Sequence, residues 1–294
     1  GLSVAVGFKT GLFNIGTPGQ YTAGGVTALY LAILFPPIPV LHIIVCLVGA
    51  ILAGAIVGLI PGLLKAFFNI SEVITSIMLN YITTYGAIIF VNNPKVRDIQ
   101  SAMIKINFSS TAKLYSFGIG KLDIGIIIAI ISIIIVSIVL FKTKFGYKLR
   151  AVGLNKDASK YAGMNTKLLT ILAMVIAGGL AGLAAVLSFL PKTPSAMMRA
   201  ENTVRAIGFD GIFIALIGGS DPFGVGLSAL FISFLREGST SVQLYGFSKE
   251  AVDVIIGVII YLVAIQSFIR VFINKWPNFF KKLFKKKGKE VINE

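Results

Sequence analysis

The feature that most constrains this chain is the length of its uncharged apolar runs. The run "IGIIIAIISIIIVSIVLF", residues 124–141, holds 18 residues without a charge. A helix of that length can cross the ~30 Å hydrocarbon core of a bilayer. A soluble α/β protein with buried parallel strands would instead give apolar runs of about 4–8 residues. The pattern therefore predicts an all-α fold, that of a polytopic helical membrane protein.

Composition agrees with this fold class. Of the 294 residues, 56% are hydrophobic and 13% are charged, whereas soluble domains carry about 25% charged residues. The net charge of +15 indicates membrane sidedness rather than a nucleic-acid partner, because membrane proteins collect lysine and arginine in their cytoplasmic loops. We therefore expect the lipid bilayer as a partner and no nucleic acid.

Turn signals divide the apolar regions into about 8–9 membrane segments. Three prolines in "FPPIP", residues 35–39, cannot continue a helix and predict a tight turn. Residues 207–219 are too few to span a bilayer unaided, so we expect broken or re-entrant helices there. The expected segments are the end of a span at 1–10 and further segments at about 21–35, 40–62, 69–91, 122–141, 168–190, 207–219, 223–237 and 251–274.

Positive charge predicts the orientation. Residues 142–167 carry a net charge of +6, the densest internal positive charge, and are predicted to be a cytoplasmic loop. The tail 275–294 is also predicted to be cytoplasmic, since it holds seven lysines beside the interfacial aromatic Trp276. The number of spans between the two regions is consistent with both being cytoplasmic. The same count predicts one further span before Gly1. We expect a transmembrane domain at 1–274 followed by the basic tail.

Signatures of catalysis are missing from the sequence. The chain contains no G-x-x-x-x-G-K-[ST] motif and no readable catalytic triad or carboxylate pair. His42 and Cys46 lie four residues apart in an apolar span, but two ligands are too few for a metal site. We expect neither enzymatic activity nor a cofactor bound by this chain.

Rows of glycine predict close helix packing. "GVGLSA", residues 224–229, fits G-x-G-x-x-A but lacks the strand–turn–helix context of a dinucleotide site. Small residues four apart let membrane helices approach closely. The other rows are Gly54, Gly58 and Gly62, and Gly178 and Gly182.

Two apolar stretches are interrupted by glycine, proline and polar residues, at 11–25 and at 208–226. Non-helical backbone at membrane depth is tolerated only where it is buried in protein or lines a wet cavity. Paired interruptions of this kind point to a transporter with internal repeats; two ordinary interhelical turns are the alternative. Polar residues near the interruptions or inside spans are candidates for a substrate pathway: Asn14, Gln20, Asn80, Tyr81 and Asp210.

Four motifs occur in the order and spacing found in a known transporter superfamily. They are "GLFNIGTPGQ", "SEVITSIMLNYI", "GYKLRAVGLNKDASKYAGMN" and "GFDGIFIALIGGSDPFGVGLSALF". The chain resembles inner-membrane permeases of ABC importers, in the superfamily of branched-chain amino acid and ribose permeases, and most closely its simple-sugar and nucleoside branch. The resemblance covers residues 1 to about 274. It implies a permease in the bacterial cytoplasmic membrane, paired with a second, identical or homologous permease subunit.

The same resemblance implies further partners: two cytoplasmic ATPase subunits, which hold ATP and Mg²⁺, and an extracytoplasmic substrate-binding lipoprotein. A short cytoplasmic helix of such permeases docks into the ATPase with the pattern E-A-A-x-x-x-G. Asp157, Ala158 and Ser159 stand at its first three positions and Gly163 at its last. Aspartate for glutamate and serine for alanine depart mildly from the pattern.

The residues alone favour a short helix at this place. Asn155 is a good N-cap with Asp157 in the first turn, and Gly163 can end the helix. Ala158, Tyr161 and Ala162 share one face at i, i+3 and i+4. An ordinary basic loop is the alternative.

Three functions follow. The first is an ATP-driven importer permease, for nucleosides or otherwise for simple sugars or branched-chain amino acids. The second is an ion-coupled secondary transporter, for which Asp210 and Asp253 are the only candidate coupling residues inside the spans. The third is a membrane scaffold, which leaves the paired interruptions and the docking helix without a role.

Overall fold

The computed structural model describes residues 1–93, 105–107, 110–116, 123–190, 195–197, 206–243, 254–259, 261–262 and 265. The basic tail 275–294, Asp253 and most of the segment 251–274 lie outside the described residues. The chain divides into two compact units, residues 1–229 and 230–294. The features discussed below belong to the first unit.

Helices dominate the described chain. They are α1 (Leu2–Lys9), α2 (Thr17–Leu34), α3 (Leu41–Phe68), α4 (Glu72–Val91), α5 (Ile124–Lys142), α6 (Lys144–Leu154), α7 (Lys156–Tyr161), α8 (Thr166–Phe189), α9 (Ala206–Ile217) and α10 (Pro222–Gln243), with a 3-10 turn at Ser110–Ala112.

Eight of the nine predicted segments coincide with described helices, with two corrections near residues 62–71, while the ninth, 251–274, lies mostly outside the described residues. We expected the third segment to end at about residue 62, but α3 continues to Phe68, with Pro61 inside it. The fourth segment, expected from residue 69, begins only at Glu72. Asn69 instead ends α3 in the left-handed conformation with φ 53°, and Ser71 holds the N-cap position without a side-chain hydrogen bond to the helix.

The all-α fold class is confirmed, and the described residues add only one pair of three-residue strands to the helices. Strand β1 (Lys105–Asn107) pairs antiparallel with β2 (Ser195–Met197), and Ile106 lies opposite Ala196. The pairing joins the segment after α4 to the segment after α8. Strand signals of three residues are too short to be read from hydrophobic periodicity.

The centre of the first unit is the contact between α3 and α8. Gly54, Gly178 and Gly182 meet here so closely that the Cβ of any larger residue would overlap the other helix. A Cβ at Gly54, for example, would lie 3.0 Å from the Cα of Gly182. Gly24 of α2 also packs on Gly182: a Cβ added at Gly24 would lie 2.5 Å from the Cα of Gly182. The glycine rows therefore confirm the predicted close helix packing.

Four of the described helices are long and apolar enough to cross a membrane: α3, α4, α5 and α8. In the 18-residue apolar window of each helix, 61% of the residues are buried in α8, but only 17–22% are buried in α3, α4 and α5. Helix α8 is thus the internal element, while α3, α4 and α5 present isoleucine, leucine and phenylalanine outward. Apolar surface of this extent needs lipid or a partner helix to cover it. The protein is a multi-pass membrane protein.

We predict that Gly54→Ala destabilises the helix bundle. Its new methyl would overlap the Gly178 carbonyl oxygen, and overpacking of this kind costs about 1–3 kcal/mol. The measurement is the apparent melting temperature of the purified protein in detergent. Gly86→Ala in α4 is the matched control, since nothing lies within 4 Å of a Cβ there. Equal melting temperatures for the two variants would contradict the packing argument.

Candidate functional site

The first predicted interruption is a break between α1 and α2 at residues 10–16. Helix α1 ends at Lys9, and Gly11 adopts φ 73°, a left-handed conformation that glycine takes without steric cost. The N–H of Leu12 donates to the carbonyl of Gly7 (2.9 Å). The chain then runs without helix to Thr17, where Pro18 lies in the first turn of α2. The backbone groups of this break need partners other than the hydrogen bonds of a helix.

Asn14 supplies the first set of partners. Its Nδ2 donates to Oε1 of Gln20 (3.0 Å), and its Oδ1 accepts from Nε2 of Gln20 (3.2 Å) and from the N–H of Gly16 (3.0 Å). Asn14 is 1% exposed and Gln20 is fully buried. The two side chains therefore tie the break to the first turn of α2.

Asn80 of α4 holds the same break from the other side. Its Oδ1 accepts from the N–H of Gly19 (2.8 Å), and its Nδ2 donates to the carbonyl of Ile15 (2.9 Å). The position of Gly19 leaves no room for a side chain, since an added Cβ would lie 2.7 Å from the Asn80 Oδ1. We call Asn14, Gln20 and Asn80 the amide brace. The structure brings these three predicted residues together.

Two residues beside the amide brace were not predicted as site residues. Oε1 of Glu72 accepts from the N–H of Phe13 (3.5 Å), while its Oε2 lies 3.0 Å from Nζ of Lys65. Ser76 is fully buried, and its Oγ lacks a hydrogen-bond partner among the described residues. The signal was available: Glu72, Ser76 and Asn80 recur every four residues and form one buried polar face of α4.

The other two predicted pathway residues lie elsewhere. Tyr81 is 49% exposed, although its neighbour Asn80 is buried. Asp210 is half-buried on α9, two residues after Gly208, whose Cα approaches Pro18 at the start of α2. The second interruption thus packs on the first, but neither of these residues belongs to the amide brace.

The basic segment 142–167 folds into two short helices and the start of α8, each with a capping side chain. Thr143 accepts from the N–H of Gly146 (3.0 Å) at the start of α6. Asn155 accepts from the N–H of Ala158 (2.9 Å) at the start of α7. Asn165 accepts from the N–H of Leu168 (3.1 Å) at the start of α8. Caps of this type stabilise a helix by about 1 kcal/mol each.

Helix α7 presents small and aromatic residues to solvent. Ala158, Tyr161 and Ala162 are exposed, Tyr161 to 94%, whereas Ser159 is buried and its Oγ donates to the carbonyl of Asn155 (2.9 Å). Gly163 follows the helix at φ 76°, and the N–H of Met164 then donates back to the carbonyl of Ser159 (3.0 Å). Asp157 lies exposed in the first turn. The face Ala158–Tyr161–Ala162 is free to contact a partner.

The side chain of His42 contacts two neighbouring segments. Nδ1 of His42 lies 2.8 Å from Oγ1 of Thr111, and its Nε2 lies 3.3 Å from the carbonyl oxygen of Leu31. Both ring nitrogens are thus engaged by protein, and the contacts hold α3 to the 3-10 turn and to α2. The described residues contain no group of three or more histidine, cysteine, aspartate or glutamate side chains that could hold a metal.

The chain is similar to several characterised permeases. It is 39% identical to the nucleoside ABC transporter permease protein NupB of Lactococcus lactis over 93% of this chain and 78% of that protein. It is 36% identical to the guanosine ABC transporter permease protein NupP of Bacillus subtilis over 94% of this chain and 80% of that protein. Identity falls to 25% with the glucose ABC transporter permease protein TsgB13 of Haloferax volcanii, over 92% of this chain and 73% of that protein.

No solved structure matches the chain. The family model for the permease component of the branched-chain amino acid transport system matches residues 1–264, which include both interruptions and the basic segment. With nine-tenths of the chain also aligned to ABC permeases, the protein belongs to the branched-chain amino acid transport system / permease component family.

Proposed function

We propose that this chain is the membrane-spanning permease subunit of an ATP-driven nucleoside importer. The observation that carries the proposal is similarity along nearly the whole chain to permeases named for nucleosides and guanosine, at 39% and 36% identity. The permease named for glucose is more distant, at 25%. Simple sugars are therefore the second substrate class, ahead of branched-chain amino acids. The permease is not itself an enzyme, and a separate ATPase subunit hydrolyses ATP.

We propose a topology of 8–9 membrane segments in the bacterial cytoplasmic membrane. Beyond α3, α4, α5 and α8, it adds α2, α10, the end of a span in α1, the short α9 and the segment 251–274. Positive charge supports the orientation, with α6, α7 and the tail 275–294 on the cytoplasmic side. The carboxyl terminus is then cytoplasmic.

We propose that α7 is the docking helix for the ATPase. Its exposed face of Ala158, Tyr161 and Ala162 is small enough for close contact and carries one large aromatic anchor. Asn155, Asp157 and Ser159 shape the helix, and Gly163 ends it. The assembly would contain two such permease subunits, identical or homologous, two ATPase subunits holding ATP and Mg²⁺, and an extracytoplasmic binding lipoprotein. No nucleic acid takes part.

We propose that the substrate pathway passes the break between α1 and α2. In the described conformation the amide brace is buried and its hydrogen bonds are made within the protein. We interpret this conformation as the closed state of the pathway. Opening would separate the break from α4 and release the amide groups of Asn14, Gln20 and Asn80. Tyr81 and Asp210 would line the route farther along.

The proposed function is tested by uptake in proteoliposomes that contain the whole complex. We expect ATP-dependent uptake of radiolabelled guanosine that competes with other nucleosides, less with ribose or glucose, and least with leucine. Transport that persists without the ATPase but collapses with a protonophore would instead establish an ion-coupled transporter. No transport under either condition would favour a membrane scaffold.

We predict that Asn80→Leu impairs both stability and uptake. The substitution keeps the number and branching of the side-chain heavy atoms but leaves the N–H of Gly19 and the carbonyl of Ile15 without partners, at about 1–3 kcal/mol for each buried group. Melting temperature and uptake are measured together. Tyr85→Leu, at an exposed position of the same helix, is the matched control. A control variant that loses more stability than Asn80→Leu would contradict the role of the amide brace.

We predict that uptake tolerates Gly163→Asn better than Gly163→Val. Asparagine adopts the left-handed conformation far more readily than a β-branched residue, and a Cβ at this position meets no atom within 4 Å. Co-purification of the ATPase and ATP-driven uptake are the measurements. If both variants fail alike, Gly163 is required for its small size at the docking surface rather than for its backbone conformation.

A further inference from the structure

A second pair of glycines brings the basic segment into direct contact with the break. A Cβ at Gly153, near the end of α6, would overlap the carbonyl oxygen of Lys9 and lie 2.9 Å from the nitrogen of Gly11. A Cβ at Gly11 would lie 3.1 Å from the Cα of Gly153. The two backbones therefore touch without intervening side chains, at the point where α1 ends and the break begins.

One side of this contact is joined to α7 through a single shared residue. Asn155 ends α6, with its N–H bonded to the carbonyl of Ala151 (3.0 Å), and the same residue caps α7. Leu149 and Val152 are buried in one apolar cluster with residues of α1, α5 and α8. Gly153 is only two residues from the shared cap, so a displacement of α7 acts on α6 close to Gly153.

The other side of the contact is joined to the amide brace. Gly11 is three residues before Asn14, and between them the N–H of Phe13 bonds to Glu72 of α4. The ring of Phe141 also holds the junction together, since Nζ of Lys9 and Cζ of Arg150 lie 5.8 and 4.9 Å from its centre. Cations over an aromatic ring are attracted to it.

We propose that the Gly11–Gly153 contact transmits the movement of α7 to the break between α1 and α2. This inference rests on the proposed function, in which α7 docks on an ATPase. Gly153 is a positioning residue: it touches no substrate, but its missing side chain lets α6 bear directly on the backbone that precedes the amide brace. A contact between two backbones has no side-chain rotamers to absorb a displacement, so a shift of α6 is passed on.

A methyl at Gly153 should therefore uncouple ATP hydrolysis from transport. The experiment compares Gly153→Ala with Gly86→Ala, a helical glycine with nothing within 4 Å of its Cβ, in the complete complex in proteoliposomes. Coupling free energies between sites correspond to factors of about 5–150, so guanosine uptake per ATP hydrolysed should fall at least about fivefold in Gly153→Ala alone. Both variants should retain the ATPase on purification. Unchanged uptake per ATP in Gly153→Ala would overturn the inference.

A second measurement keeps Gly153 in place. Phe13, 41% exposed in the break, is replaced by cysteine in a Cys46→Ala background, and its rate of modification by a maleimide is measured in the assembled complex. The rate should change between the ATP-free complex and the complex trapped with ATP and vanadate. An unchanged rate would overturn the inference even if Gly153→Ala does not fold. Absence of ATP-dependent uptake by the unmodified complex would instead overturn the proposed function itself.

Discussion

The arrangement of the first unit depends on one constraint: at membrane depth, the polar groups of a broken backbone must find partners within the protein. The break between α1 and α2 meets this requirement with amide side chains. Asn14 bonds within the break and to Gln20, while Asn80 reaches it from α4. An amide carries both donors and an acceptor without charge, so it can satisfy an N–H and a C=O together at no cost of burying an ion. Because Asn80 must reach the break, α4 has to pack beside the break, with its polar face turned toward it.

Close packing at glycine residues holds together the helices that surround the break. Without a hydrophobic driving force between helices in lipid, association depends on close packing, and Gly54, Gly178 and Gly182 bring α3 and α8 into backbone contact. Gly24 adds α2 to the same centre. The N-terminal part of α2 thus begins at the break and its middle is anchored on α8. The polar site is therefore built beside the glycine contact of α3 and α8.

Much of this could be predicted from the sequence. Long apolar runs and proline turns located the helices, and glycines four apart predicted close helix packing, although not that α3 and α8 are the pair that makes it. The cap at Asn155 and the left-handed end at Gly163 were local signals. The parts that were missed are long-range: Glu72 was not among the predicted site residues, and its bond to Phe13 spans 59 residues. The Gly11–Gly153 contact was also missed, because it is between a break and a helix end rather than between two helix faces.

The strength of the amide brace is compatible with a pathway that opens. Each neutral hydrogen bond contributes about 0.5–1.5 kcal/mol net, and the brace contains five of them. Moving a two-state equilibrium from 1:99 to 99:1 requires about 5.5 kcal/mol of differential binding, so the two quantities are of the same order. Unsatisfied amides would add a cost of about 1–3 kcal/mol for each buried group. A state in which the brace is separated is accessible only if water or a polar solute replaces the lost partners, and that condition ties opening of the break to the arrival of something that can form hydrogen bonds.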